Sequence, residues 1–71
     1  MDVTSLTTYQ LGRVQQLPIL RLVSIGAYLD GGIQEILLPL KYLPNGAREG
    51  DLVTVFVYHD NEGRLIATTL P

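Results

Sequence analysis

Residues 17–39 constrain the fold more than any other part of the sequence, because three short apolar runs follow one another there with glycines at the breaks. Gly26 lies inside the second run, and Gly31 and Gly32 separate the second run from the third. Short runs of β-branched and large apolar residues between turn-forming residues are typical of strands. The segment therefore predicts three consecutive antiparallel strands, over residues 19–23, 26–29 and 35–38.

Two residues place special demands on this sheet. Pro18 has no backbone N–H to donate, so it is expected at the start of the first strand or at a sheet edge. Gly26 predicts either a bend, which would curl the sheet towards a barrel, or the close approach of another backbone. The two-residue period of a bent strand turns Ala27 and Leu29 to one face and Tyr28 to the other, outer face. An outward Tyr28 suits stacking on a base or, as the alternative, covering its own neighbours.

The second half of the chain predicts one helical turn and two more strands. Residues 39–44 run from proline to proline with Leu40 and Leu43 three apart, which favours a single helical turn that closes one end of a barrel with two leucines. Residues 52–58 alternate in the manner of a half-buried strand, and residues 64–69 follow a polar turn as the last strand. The residues of these two strands that are predicted to face the core are Val53, Val55, Val57, Leu65 and Ala67.

Five strands with one short helical turn between the third and the fourth predict an all-β protein, a five-stranded Greek-key barrel of the OB-fold type. An SH3-like barrel is the alternative, and the helical turn favours the OB-fold. We assign residues 17–71 to this domain and residues 1–16 to a leader or short extension.

Composition excludes several classes of protein. The chain has 71 residues, of which 46% are hydrophobic, and it contains no Cys and one His, so we expect neither disulfides nor a metal site. A net charge of −2 argues against strong, sequence-independent binding to nucleic acid, which needs clustered Lys and Arg. No apolar run approaches the roughly 20 residues of a membrane span, and the sequence does not begin as a signal peptide does. We therefore expect a cytoplasmic protein without membrane contacts.

The sequence offers no combination of residues that points to catalysis. No pair of carboxylates has a His or Lys at a spacing suited to acid–base chemistry, and Ser, His and Asp do not form a triad pattern. The glycines do not open a helix after a strand, as a phosphate-binding loop requires. We predict a protein that is not an enzyme and that uses no cofactor.

Four pieces of the sequence follow one another in a recognisable order. They are Ile19 and Leu22 before residues 25–29, then residues 35–38, residues 50–55, and Asp60 with residues 63–65. Together these pieces resemble the S-one type RNA-binding domain. One branch of this family is more similar still. The amino-acid sequences of residues 28–32, 35–39, 55–58 and 66–69 resemble the amino-terminal module of the conserved virulence factor B family. This resemblance implies RNA binding within a multi-module bacterial post-transcriptional regulator, with single-stranded RNA and neighbouring modules of a longer chain as partners.

The resemblance also implies which residues contact RNA. Tyr28 matches the second of two aromatic residues in the family's second strand, and Asp60 and Arg64 match its acidic and basic pair around the last turn. Ile25 stands in place of the first aromatic residue, and Pro39 in place of a His. One stacking ring and one imidazole are therefore missing, so we expect the isolated module to bind RNA weakly.

Other candidates depend on where they lie. Arg21 and Lys41 are expected to contact phosphate if they face Tyr28, and to be solvated otherwise. Phe56 and Tyr58 alternate with the core valines and so are expected outside the barrel. We expect them to pack on a neighbouring module, or to be covered by Tyr9 and Leu11, or, least favoured, to stack on RNA. His59 is expected to be solvated in its turn.

Two functions follow from these residues. The first is a non-catalytic RNA-binding module that uses Tyr28 and Arg64, with Asp60 paired to Arg64 or orienting it. The second is a protein-interaction module that packs against neighbouring domains through Phe56 and Tyr58.

Overall fold

The computed structural model describes residues 9–69, which form five strands and one 3-10 helical turn. The strands close into a barrel in the order β1-β2-β3-β5-β4, in which β4 returns to β1. Neighbouring strands run antiparallel, except that β3 and β5 run parallel. This arrangement confirms the predicted OB-fold. The elements are β1 Val14–Val23, β2 Gly26–Asp30, β3 Glu35–Pro39, the helical turn Leu40–Tyr42, β4 Leu52–His59 and β5 Leu65–Thr68.

Strand β1 is twice as long as predicted because it pairs with two partners. Residues 14–18 pair with β4, and residues 19–23 pair with β2. Pro18 lies opposite Leu52 in the last pair of the β1–β4 ladder, where the strand changes partner. Pro18 therefore lies inside β1 and not at its start, and the closed barrel leaves no sheet edge for it, so neither expected position is found. A residue without an N–H is tolerated here because the β1–β4 ladder ends at Pro18. Residues 14–16, which we assigned to the leader, belong to β1.

A β-bulge interrupts β1 just after this changeover. Ile19 pairs with Leu29, whereas Arg21 pairs with Tyr28, so β1 contains one residue more than β2 over this step. In an uninterrupted strand Arg21 would share the face of Ile19, which is buried in the core. The bulge instead brings Arg21 to the outer face, beside Tyr28.

The core fills the barrel with aliphatic side chains, and the two-residue alternation of the strands predicts most of it correctly. Leu65 packs against this core while remaining half-buried, as does Leu43. Leu40, however, is 57% exposed, so only one of the two leucines expected to close the barrel end does so. The buried core residues are Leu17, Ile19, Ala27, Leu29, Ile36, Leu38, Val53, Val55, Val57 and Ala67.

Gly26 allows two backbones to approach each other closely, which is one of the two roles expected of it. It is the first residue of β2, directly after a two-residue link, and its φ is 146°. A Cβ atom at this position would overlap the carbonyl oxygen of Leu38 and lie 2.8 Å from the backbone nitrogen of Leu40. The Leu40 N–H donates to the carbonyl of Ile25 at 2.9 Å, so the helical turn is fastened to the same place.

We predict that Gly26→Ala destabilises the barrel more than Gly46→Ala does. Both glycines have positive φ, but a Cβ at Gly46 would meet no atom within 4 Å. Gly46→Ala should therefore cost only the backbone strain, about 1–2 kcal/mol. Gly26→Ala should cost about 1–3 kcal/mol more, because the backbone of Leu38 has to move. Urea unfolding of the two variants measures the difference, and equal losses would contradict the close-approach role.

Candidate functional site

A row of side chains crosses the outer face of the barrel over all five strands. The strand register places Arg21 opposite Tyr28, Tyr28 opposite Leu37, Leu37 opposite Ile66, and Ile66 opposite Tyr58. Directly opposed residues of neighbouring strands share a face. Ile66 in the middle of the row is only 8% exposed although it faces outwards. The row thus joins Tyr28, the predicted stacking residue, to Tyr58, the predicted packing residue.

A groove of about 660 Å³ lies over one part of this face. It joins the outer faces of β2, β3 and β5 to the turn that precedes β5. Tyr28 and Arg64, the two residues predicted to contact RNA most directly, both line it. The complete lining consists of Tyr9, Ile25, Tyr28, Gln34, Glu35, Leu37, Pro39, His59, Gly63, Arg64, Leu65 and Ile66.

Arg21 lies over Tyr28 and is held there by Glu35. The Cζ atom of Arg21 lies 4.6 Å from the centre of the Tyr28 ring, a cation–π distance. Two guanidinium nitrogens of Arg21 donate to the two carboxylate oxygens of Glu35, at 2.7 and 2.8 Å. The hydrogen bonds from Arg21 lower the pKa of Glu35 below its usual value. Arg21 does face Tyr28, as a phosphate contact requires, but its charge is already paired.

Asp60 builds the turn between β4 and β5 and orients Arg64. Its Oδ1 atom accepts the backbone N–H groups of Glu62 and Arg64, both at 2.9 Å. Its Oδ2 atom accepts the Nε–H of Arg64 at 2.9 Å. The side chain of Arg64 is 67% exposed, whereas that of Asp60 is 22% exposed. The same Oδ2 atom lies 2.9 Å from Nη2 of Arg64, so the carboxylate holds one edge of the guanidinium while much of the side chain stays accessible.

The charges around the groove nearly cancel. Arg64 also lies 3.4 Å from a carboxylate oxygen of Glu62, so each of the two arginines has at least one acidic partner. The described residues therefore do not form an uncompensated basic strip around Tyr28. This face can therefore bind a ligand by stacking on bases and by hydrogen bonding more than by net charge.

The remaining candidates lie outside the groove. Lys41 is exposed on the helical turn, with its Nζ atom 5.1 Å from the centre of the Tyr42 ring. Phe56 and Tyr58 are half-buried on the outer face of β4, with ring centroids 6.2 Å apart and ring planes at 25°. Their position outside the core matches the alternation of β4.

His59 and Tyr9 are among the groove residues that were not RNA candidates from sequence. His59 is exposed and lines the groove as the last residue of β4, opposite Leu65, and not as part of a solvated turn. Alternation alone would turn position 59 to the face of the core valines, so no sequence pattern predicts His59 in this groove. Tyr9 also lines the groove and packs against the core. The N–H of Gly12 donates to the carbonyl of Val57 at 2.7 Å and so keeps this segment against β4.

The family model of the S1 domain matches residues 11–70. The match covers most of the sequence and the whole barrel, so the chain belongs to the S1 domain family, the S-one type of the sequence resemblance. S1 domains are RNA-binding modules, and membership indicates that the chain binds nucleic acid. No curated protein and no solved structure matches the chain significantly. Within residues 9–69, no helix has the length and apolar character needed to span a membrane.

We predict that Asp60→Asn destabilises the protein at neutral pH and that this difference shrinks in acid. Hydrogen bonds from the backbone of Arg64, above all, lower the pKa of Asp60 below its ordinary value of 3.8. A carboxylate with a lowered pKa stabilises the folded state fully above the ordinary pKa, and the effect is lost as the pH falls through the lowered value. Urea unfolding across this range measures the difference.

Glu62→Gln is the control for this prediction, because Glu62 contacts Arg64 at a longer distance and is 73% exposed. It should change stability little at any pH. A loss in Asp60→Asn that stays constant down to strongly acidic pH would contradict the role given to the Asp60 charge.

Proposed function

We propose that the chain is a non-catalytic module that binds single-stranded RNA weakly through Tyr28 and Arg64. The observation that carries this proposal is that the barrel of an S1 domain brings these two side chains to one groove. The ring of Tyr28 offers a stacking surface for a base, and the guanidinium of Arg64 offers donors to phosphate or to a base edge. Asp60 acts as a positioning residue for Arg64.

Weak binding is expected because two positions of the groove differ from the family's pattern, where Ile25 and Pro39 provide apolar contact but neither a ring nor an imidazole. His59 brings an imidazole to the same groove from β4, and Tyr9 brings a ring that packs against the core. Each missing stacking contact removes about 1–3 kcal/mol per base, and the paired arginines add little long-range attraction. Arg21 faces Tyr28 and acts as a secondary phosphate contact beside the groove, whereas Lys41 lies by the Tyr42 ring outside it.

The wider setting that we propose is a multi-module bacterial regulator of post-transcriptional gene expression, connected with virulence and located in the cytoplasm. The support is the sequence resemblance to the amino-terminal module of the conserved virulence factor B family. A weak module is useful in such a chain, because linked modules raise the effective concentration of one another on the same RNA.

We predict that Tyr28→Leu weakens binding of a short uridine-rich or adenosine-rich RNA, whereas Tyr28→Phe keeps it. Both variants preserve an apolar side chain beside Leu37, but only Phe preserves the ring. The loss in Tyr28→Leu should be about 1–3 kcal/mol if one base stacks on the ring. Amide chemical shifts during an RNA titration give the affinities, and equal affinities of the two variants would exclude stacking on Tyr28.

We predict that Arg64→Ala abolishes the amide shifts around the groove at moderate salt, whereas Arg48→Ala leaves them unchanged. The two substitutions alter the net charge equally, but Arg48 is outside the groove lining. If Arg64 contacts one phosphate, the slope of log affinity against log salt should fall by about 0.7 in Arg64→Ala. Equal effects of the two variants would show that charge alone, and not the groove, attracts the RNA.

The second candidate function is a protein-interaction module that packs on a neighbouring domain through Phe56 and Tyr58. The observation in its favour is an uncharged surface over two paired strands, since residues 14–20 of β1 and 52–58 of β4 contain no charged residue. Val14 is 69% exposed on β1, opposite Phe56. An RNA titration without any shifts up to millimolar RNA would favour this function over the first.

A further inference from the structure

Three consecutive strands each contribute one residue to the contact over Tyr28. Arg21 extends from β1, Tyr28 stands on β2, and Glu35 belongs to β3. Because β2 lies between β1 and β3, a hydrogen bond from Arg21 to Glu35 has to cross the outer face of β2, which is where Tyr28 projects. The guanidinium therefore covers one face of the ring for as long as the bidentate pair with Glu35 persists.

The same contact occupies the N–H donors of Arg21 and one face of the Tyr28 ring, which are groups that RNA would bind. Carboxylate and phosphate compete for the fork of N–H donors on an arginine, and Glu35 already accepts from two nitrogens of Arg21. Glu35 also lines the groove and places a negative charge where a phosphate would approach. Both members of the pair are partly solvated, with side chains 47% and 43% exposed, so the pair can open without disturbing the core.

We propose that Glu35 limits RNA binding by holding Arg21 over Tyr28, so that RNA has to replace Glu35 as the partner of Arg21 before a base stacks on that face. The inference rests on the proposed function and adds that Glu35 competes with RNA for Arg21. Glu35 is in this sense a negative determinant of affinity, and Arg21 is a phosphate contact that is available only after the exchange.

The first test compares Glu35→Gln with the matched variant Glu49→Gln in the 71-residue chain. Both remove one negative charge, but Glu49 is an exposed residue outside the groove lining. Glu35→Gln should bind a short uridine-rich single-stranded RNA about two- to fivefold more tightly than Glu49→Gln, the range expected for freeing an exposed ion pair.

The second test repeats the Glu35→Gln substitution in an Arg21→Gln background. If Glu35 acts through Arg21, the substitution should then give no more gain than Glu49→Gln gives in the same background. Arg21, Glu35 and Glu49 are all exposed, so the variants should fold, and an unchanged pattern of amide shifts in the absence of RNA verifies this.

The outcomes separate the inference from the function on which it rests. If the unmodified chain binds RNA at the groove but Glu35→Gln and Glu49→Gln behave alike, the competitor role is overturned and RNA binding stands. The role is also overturned if the gain from Glu35→Gln persists in the Arg21→Gln background, because Glu35 would then act by repulsion alone. If neither the unmodified chain nor Glu35→Gln binds RNA, the proposed function itself fails, and this inference fails with it.

Discussion

The barrel depends on one strand that hydrogen-bonds to two partners along its length. The first half of β1 pairs with β4 and the second half pairs with β2, so this strand joins both ends of the sheet. A flat strand cannot serve both partners, and the local backbone adapts through Pro18 at the changeover and a bulge between Ile19 and Arg21. The same adaptation brings Arg21 beside Tyr28. Barrel closure and the composition of the outer face therefore have one structural cause.

The sequence predicts those parts of the fold that depend on local patterns. Alternation of apolar residues identifies the buried face of β4, and the pair of prolines around the helical turn identifies the break between β3 and β4. Strand ends are less predictable, because they depend on where a partner strand stops. His59 belongs to β4 because Leu65 of β5 still pairs with it, and nothing within the segment 52–59 reveals that pairing. Residues 14–16 likewise become strand because β4 lies beside them.

The sequence proposes members of the candidate site but not how they are connected. The family resemblance picks out Tyr28, Asp60 and Arg64, and a pair between Asp60 and Arg64 across the turn was one interpretation of the sequence. The backbone N–H groups that Asp60 accepts in this turn were not predicted. The position of Arg21 does not follow, because uninterrupted alternation from Ile19 would place this residue in the core. A bulge is a property of two strands together, so one strand's sequence does not reveal it. The pairing of Arg21 with Glu35 was hidden for the same reason.

The parallel contact between β3 and β5 links ligand binding in the groove to the stability of the barrel. These strands are far apart in sequence, and the register joins them through Leu37 and Ile66, beneath the groove. Tyr28 stands on one side of this seam and Arg64 on the other. A ligand that contacts both residues therefore holds β3 and β5 together. Its binding free energy adds to the free energy needed to separate these two strands. Amide hydrogen exchange along β5 would slow when the groove is occupied, which makes strand opening a reporter of ligand binding.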